Sequence, residues 1–323
     1  MALRLLPWSP EYGTGMQFDV DANGPDAAVN VEFAERRPWE RVAPRAEPPA
    51  AVQIVDGVRR AEAHAMDEAA DGSLVLGLFG SYAVGAVCCN GRAELLEDRF
   101  RVERRYFQTA GEPASREIPG GNTSLCFRAE LPENATTAND LVAALNRKML
   151  DEEEKLAEEL SRDESLLTFV DGPLRLRSPG ERVIGYIKRV HRWYIEAREQ
   201  RLLLDLRVGE RTPVFRIQEG AEGRHDRLSW FLRIADLRGH YHPLAGVMRL
   251  EVPGALPCEL AARLADQSAF VLPGLASSPV RDPRSPQNLT PVGALEAALT
   301  HRLGDRRWIN RLLTAAIERE AAA

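Results

Sequence analysis

The sequence predicts an α/β fold in which one mixed sheet is flanked by helices. Short apolar runs rich in β-branched residues alternate along the chain with segments of helical periodicity. Strand-like runs also return after the longest helical segment, in the order typical of a mixed sheet. The chain has 323 residues, 44% of them hydrophobic, which is enough for one large core. No internal repeat of solenoid length is present.

Residues 1–50 are rich in proline, alanine and charge, and they are predicted to form an irregular arm or a pair of weak strands. A single domain is expected over 51–323. Its first strand covers 51–57 (AVQIVDG) and ends in an Asp-Gly turn. Further strands of an antiparallel meander are predicted at three places, joined by turns at Asn90-Gly91 and Pro119-Gly120-Gly121: 73–89, 94–107 and 123–131.

A long helix is predicted within 136–165, with Asn139 or Asp140 as its N-cap. Its apolar positions share one helical face: Val142, Leu145, Met149, Leu156 and Leu160. The segments that follow are predicted as strands at 166–174 and 182–190, a helix through 193–206, short strands between 213 and 253, and helices at 257–267, 291–303 and 305–320.

Charge along the chain is uneven. The net charge of -6 argues against a chain coated in positive charge. However, 130–171 has 4 basic and 12 acidic residues, whereas 172–249 has 16 basic and 9 acidic residues. An acidic centre beside a basic tract suits a phosphodiester substrate, because the basic residues neutralise phosphates.

The cysteines and the start of the chain match no recognised motif. The four cysteines form no Cys-x-x-Cys pair, so neither a zinc knuckle nor a disulfide framework is indicated. The start of the chain lacks the apolar stretch of a secretory signal, and a cytoplasmic protein is expected. Phosphate-binding loops, dinucleotide fingerprints and nucleophile elbows are absent from the sequence.

Two matching motifs, IVDG at 54–57 and FVDG at 169–172, place Asp56 and Asp171 at the ends of buried strands. Strand ends of an α/β sheet border the crevice where ligands bind. Adjacent carboxylates need a cation between them, and Mg²⁺ or Mn²⁺ prefers such oxygen ligands. The alternative is that Asp-Gly is simply good turn chemistry.

The acidic run 151–154 of the long helix supplies a third candidate carboxylate. Counting from Met149, the helical phase places Glu153 on the apolar face, and Glu154 lies about 100° further round. A carboxylate on a buried face is costly unless it is paired or binds a metal. A solvated acidic face, with Lys148 and Lys155 nearby, is the alternative.

The stretch 188–198 (KRVHRWYIEAR) has the composition of a nucleic-acid contact. Lys188, Arg189 and Arg192 are placed to contact phosphates, and Trp193 to stack on a base. The alternative is the start of an ordinary amphipathic helix with its aromatic residues in the core. The six histidines are scattered without strong ligand spacing.

These motifs, in this order, resemble the NurA nuclease family: IVDGVRR, the acidic helix, FVDGPLRL and VIGYIKRV. The resemblance covers about residues 50–300. It implies an RNase H-like fold and a Mn²⁺- or Mg²⁺-dependent deoxyribonuclease with 5′ to 3′ exonuclease and single-strand endonuclease activity. It also implies a homodimer that works with a HerA-type hexameric translocase in DNA end resection during double-strand break repair.

Matched residue by residue, the resemblance makes Asp56 and Asp171 metal ligands and Lys188 a phosphate contact. The family's spacing favours Glu154 as the helical glutamate, while the helical phase favours Glu153. The family's late tyrosine and histidine are replaced by Thr290 and Ala298, and His301 is the candidate substitute. Two rival interpretations follow: a weakly active or inactive DNA-end-binding adaptor of a motor ATPase, and a junction resolvase.

Overall fold

The computed structural model describes residues 4–5, 30–68, 72–121, 123–174, 180–188, 193–218, 226–237, 243–278, 280 and 286–322. The strands are β1 (Arg4–Leu5), β2 (Asn30–Glu32), β3 (Val52–Glu68), β4 (Leu74–Cys89), β5 (Ala93–Leu95), β6 (Arg101–Gln108), β7 (Arg116–Pro119), β8 (Ser124–Glu130), β9 (Leu167–Asp171), β10 (Val183–Ile187), β11 (Phe215–Gln218), β12 (Arg227–Arg233) and β13 (Val247–Pro253). The helices are α1 (Ala138–Leu160), α2 (Ala197–Asp205), α3 (Cys258–Leu275), α4 (Thr290–Arg302) and α5 (Arg306–Ala322).

The strands form a mixed sheet in the order β2-β11-β12-β13-β10-β9-β3-β4-β6-β8-β7, with β1 beside β3 and β5 beside β4. The predicted α/β class is therefore confirmed. The parallel pairs β3–β9 and β9–β10 lie at its centre. The predicted antiparallel meander is wrong in two respects. Strands β6 and β8 pair in parallel. The segment 94–107 is not one strand, because a 3-10 turn at Glu97–Arg99 interrupts it.

Strand β3 does not end at the first Asp-Gly pair. It continues to Glu68, because β4 pairs with it along its whole length and places Gly85 opposite Asp56. The hydrogen bonds of this long antiparallel ladder outweigh the turn propensity of Asp-Gly. The predicted turn at Asp56-Gly57 is thus wrong. The second Asp-Gly pair does end its strand, since β9 stops at Asp171.

Helix α1 begins two or three residues earlier than expected. Thr137 is the N-cap, and its side chain accepts a hydrogen bond from the backbone N–H of Asp140. The Asp140 carboxylate in turn accepts from the backbone N–H of Thr137, which completes a reciprocal capping box. Asn139 and Asp140 are therefore inside the helix. The predicted apolar face is confirmed for Val142, Leu145, Met149 and Leu156, which are buried.

Two hydrophobic layers cover the two faces of the central strands. On one face, α1 packs against residues that include Val55, Val84 and Val170. On the other face, α3 and α4 pack against residues that include Ile54 and Phe169. This alternation follows from the two-residue period of a strand. Below, the two sides are named the α1 face and the α4 face.

The remaining helices lie at the ends of the sheet. Helix α5 packs beside β3 and β7, and the segment before α2 packs beside β11 and β12. The helix predicted through 193–206 is shorter than expected, because α2 begins only at Ala197. The helices predicted at 291–303 and 305–320 correspond to α4 and α5. Among the described residues, no helix is both long and apolar enough to cross a membrane.

Candidate acidic site at the centre of the sheet

Asp56 and Asp171 lie near each other on the α4 face. β3 pairs with β9 as far as Val55 opposite Val170, and each aspartate is the next residue of its strand. Asp56 shares its face with its partner Gly85, where an added Cβ would lie 3.1 Å from a methyl carbon of Leu299 in α4. Side-chain alternation places Asp171 on the same face. The sequence prediction that these two carboxylates meet is consistent with this register.

Lys188 lies beside these carboxylates. Its ammonium nitrogen Nζ is 2.7 Å from Oδ2 of Asp171 and 3.1 Å from Oδ1 of Asn288, the buried residue shortly before α4. The same nitrogen lies 5.5 Å from the centre of the Tyr186 ring. Burial by itself lowers the pKa of Lys188, but the charges of Asp171 and Asp56 outweigh it, so the pKa is raised. Lys188 therefore remains a cation here.

At Asp56, in contrast to Lys188, burial outweighs the attraction of the neighbouring opposite charge. Burial, together with the charges of Asp171 and Glu296, raises its pKa from 3.8 to about 7 against the lowering effect of Lys188. Its Oδ2 atom is buried and accepts no hydrogen bond from the residues that the structure describes. A buried carboxylate oxygen of this kind is stabilised by a proton or by a cation. Asp56 thus has the properties of a metal ligand or of a group that holds a proton near neutral pH.

Glu153 is buried, as the helical phase predicts, but it lies on the α1 face. An added Cβ on Gly57 would come within 2.4 Å of its Oε1 atom, so the carboxylate rests directly on the backbone of β3. Burial raises the pKa of Glu153 well above its ordinary value, and the charges of Asp56 and Asp171 raise it further. Glu154, one residue further round the helix, is half-buried.

These carboxylates fit a hard divalent cation in donor chemistry, because Asp56 offers an unpaired buried oxygen and Asp171 lies beside it. Within the part of the chain that the structure describes, no three His, Cys, Asp or Glu side chains are already gathered as a metal-binding cluster. The separation of Glu153 from Asp56 by the thickness of β3 accounts for this. The described residues therefore bring together an aspartate pair rather than a complete three-carboxylate set.

The loop after β9 is held in place by a side chain of β13 and packs over β10. Gly172 has a positive φ of 86°, and the backbone N–H of Leu174 donates to Oε1 of the fully buried Glu251 at 2.9 Å. Glu251 also pairs with Arg249 and Arg227, at 2.7 Å and 3.4 Å. The loop crosses Gly185, where an added Cβ would lie 2.8 Å from the carbonyl oxygen of Gly172. This network positions the residues that follow Asp171.

Other predicted residues lie elsewhere. Arg189 and Arg192 are outside the described residues. The half-buried Trp193 ring packs on Phe231, with ring centres 5.8 Å apart, which favours the core interpretation over base stacking. His301 is exposed near the C-terminal end of α4, and no described contact joins it to the aspartates.

The structure adds residues to the site that sequence reasoning missed. Glu296 would have been found by the signal that found Glu153, because it lies between the buried apolar residues Val292 and Leu299 on the same side of α4. Asn288 carries no such signal, since it precedes the helix and its contact with Lys188 joins segments 100 residues apart.

The comparisons with known proteins add no relative to this picture. The chain matches no model of a known protein family, and no curated protein matches it.

Proposed function

We propose that this chain is a metal-dependent deoxyribonuclease of the NurA type, with an RNase H-like fold. In this proposal it acts as a 5′ to 3′ exonuclease and single-strand endonuclease in DNA end resection, as a homodimer with a HerA-type translocase. The supporting observations are the order of the sequence motifs and the site around Asp56. The activity and the partners rest on the resemblance of the motifs.

One observation carries the proposal: two adjacent carboxylates and a lysine ammonium share the α4 face at the centre of the sheet. Asp56 and Asp171 would hold Mn²⁺ or Mg²⁺ as a pair. When bound, such a cation stabilises charge on a phosphate and lowers the pKa of a water molecule. The opposed charges of Lys188 and the aspartates supply an anion-binding group beside a cation-binding group, as a phosphodiester requires.

The chain's own residues have distinct parts in the proposed reaction. Asp171 and Lys188 have side chains that are 29% and 21% exposed, so a DNA phosphate would approach from their side. Lys188 would bind a non-bridging phosphate oxygen. Asp56 has a buried oxygen, Oδ2, that accepts no hydrogen bond from the described residues, so this oxygen is available to the cation. Glu153 would adjust the charge of this centre from the opposite face of β3.

The test is cleavage of end-labelled single- and double-stranded DNA with Mn²⁺, with Mg²⁺ and with EDTA. We expect Asp56→Asn and Asp171→Asn each to reduce cleavage by about a hundredfold or more. The matched control is Asp163→Asn, since Asp163 is an exposed aspartate just before β9, at the opposite end of that strand from Asp171. Cleavage by either site variant at the rate of the control would overturn the proposal.

The same assay separates the alternative of a DNA-end-binding adaptor. That alternative is favoured by Thr290, which is exposed at the start of α4 and offers neither a phenol nor an imidazole. DNA binding without metal-dependent cleavage, equal in wild type and Asp56→Asn, would select the adaptor.

A further inference from the structure

We propose that Asn288 is a positioning residue that aims the Lys188 ammonium at a DNA phosphate. This inference rests on the proposed function for the identity of the ligand. It concerns a residue that no sequence motif indicates, and it assigns to the segment before α4 a part in substrate binding.

The Lys188 ammonium has more donors than it has acceptors among the described residues. A lysine ammonium has three N–H donors. Within the described residues, Lys188 donates to Asp171 at 2.7 Å and to Asn288 at 3.1 Å. These two acceptors leave one donor for a further acceptor. Since two bonds fix the orientation of a tetrahedral ammonium, the direction of the third donor is fixed as well.

The segment that carries Asn288 is tightly packed. Asn288 is only 1% exposed, and Leu289, which follows it, is fully buried in the hydrophobic layer of the α4 face. The Asn288 amide is therefore held by a packed segment. The ring of Tyr186 lies under the ammonium, with its centre 5.5 Å from Nζ, and provides a cation–π contact. A carboxylate, an amide and an aromatic ring together hold the ammonium in one place.

The surroundings of Lys188 restrict which ligand can approach its remaining donor. Lys188 is a cation beside two carboxylates, so an acceptor that approaches its remaining donor must tolerate nearby negative charge and offer an oxygen. A phosphodiester meets this description when a divalent cation offsets the carboxylates, because one of its two non-bridging oxygens can accept from the ammonium while the other faces the cation. We therefore assign the third donor to a backbone phosphate of DNA.

The test is a double-mutant cycle between Asn288 and Lys188. Binding of a fluorescein-labelled oligothymidine with phosphorothioate linkages is measured by anisotropy with Ca²⁺, a hard divalent cation that offsets the carboxylates while cleavage is suppressed. We expect Asn288→Leu to weaken binding about tenfold in the wild-type background and to have no effect in the Lys188→Met background. Leucine is close to asparagine in size but cannot accept the hydrogen bond.

Asn146→Leu is the matched control, because Asn146 also accepts a hydrogen bond from a cation, Arg59, but lies about two turns of α1 before Glu153. It should bind the oligonucleotide as wild type does. If Asn288→Leu does not fold, Asn288→Ala removes the same acceptor with less bulk. Equal losses in both Lys188 backgrounds, or no loss in the wild-type background, would overturn the inference.

The binding cycle is independent of the nuclease test. Normal oligonucleotide binding by Asn288→Leu together with inactive Asp56→Asn would remove this inference and leave the proposed function standing. Coupled loss of binding together with an undiminished Asp56→Asn nuclease would do the reverse.

Discussion

The two Asp-Gly pairs share a sequence pattern but have different structures. Asp56-Gly57 lies inside a strand of 17 residues, whereas Asp171-Gly172 ends a strand of 5 residues. Gly57 is required because the Glu153 carboxylate rests on its backbone, while Gly172 is required because its φ is 86°. An identical dipeptide thus meets a packing requirement in one place and a backbone requirement in the other.

The surroundings of the two aspartates differ as well. Asp56 is buried with an unpaired oxygen, and Asp171 is partly exposed and bound to Lys188. Backbone pairing with β4 holds the first pair, and the side chain of Glu251 holds the loop after the second. Burial therefore determines the chemistry of Asp56, and a specific ion pair determines that of Asp171.

The largest expected effect is on the support of the second pair. Glu251→Ala leaves Arg249 and Arg227 without their carboxylate and frees the backbone N–H of Leu174. Breaking a buried ion pair costs about 3–5 kcal/mol of unfolding free energy, which chemical denaturation measures. Glu251→Gln keeps an acceptor for Leu174 and should lose less. Equal stability of Glu251→Ala and wild type would show that the loop is held by other contacts.

The second prediction is that Asp56→Asn and Asp171→Asn change the stability of the protein in opposite directions near pH 8. The pKa of Asp56 is raised from 3.8 to about 7, so its contribution to stability is full at acid pH and is lost as the pH rises through about 7. Asp56→Asn removes this loss and should stabilise the protein by ~2 kcal/mol at about pH 8, and much less at about pH 4. Asp171→Asn should instead destabilise it, because Lys188 loses its partner.

Thermal unfolding of both variants across this pH range checks these signs, with Asp163→Asn again as the exposed control. Destabilisation of Asp56→Asn at every pH would contradict the conclusion that burial dominates its environment.

A smaller difference is expected between the two glycines. Gly57→Ala must displace the buried Glu153 carboxylate and crowd Met149, which should cost about 2–3 kcal/mol of unfolding free energy. Gly172→Ala meets no atom within 4 Å and carries only the strain of its positive φ, about 1 kcal/mol. Denaturant unfolding of the two variants is the measurement. The reverse order of costs would mean that α1 moves freely away from β3.

The smallest effect is expected at Tyr186, the strand neighbour of Asp171. Its hydroxyl is buried and makes no hydrogen bond with the described residues. Tyr186→Phe should therefore leave the unfolding free energy unchanged or raise it by up to about 1 kcal/mol. Tyr106→Phe is the matched control, since Tyr106 has an equally unpaired buried hydroxyl in the layer under α5. A clear loss of stability only at Tyr186 would reveal a partner for its hydroxyl.

Much of the fold was predictable from local patterns. The α/β class, the long helix and the buried phase of Glu153 follow from periodicity, because an amphipathic helix of 23 residues repeats its signal many times. The extent of β3 was not predictable, since a turn dipeptide was overridden by pairing with β4. The parallel pairing of β6 with β8 is equally a property of the assembled sheet.

The sequence by itself determined which residues are ionisable and where most of the central strands lie, because both follow from residue type and short spacing. Only the tertiary structure decided which face each carboxylate occupies. Strand alternation and the register of β3 with β4 and β9 place Asp56 and Asp171 on the α4 face and Glu153 on the α1 face. Contacts such as that of Asn288 with Lys188 depend on how distant segments pack, and short-range patterns contain no record of that packing.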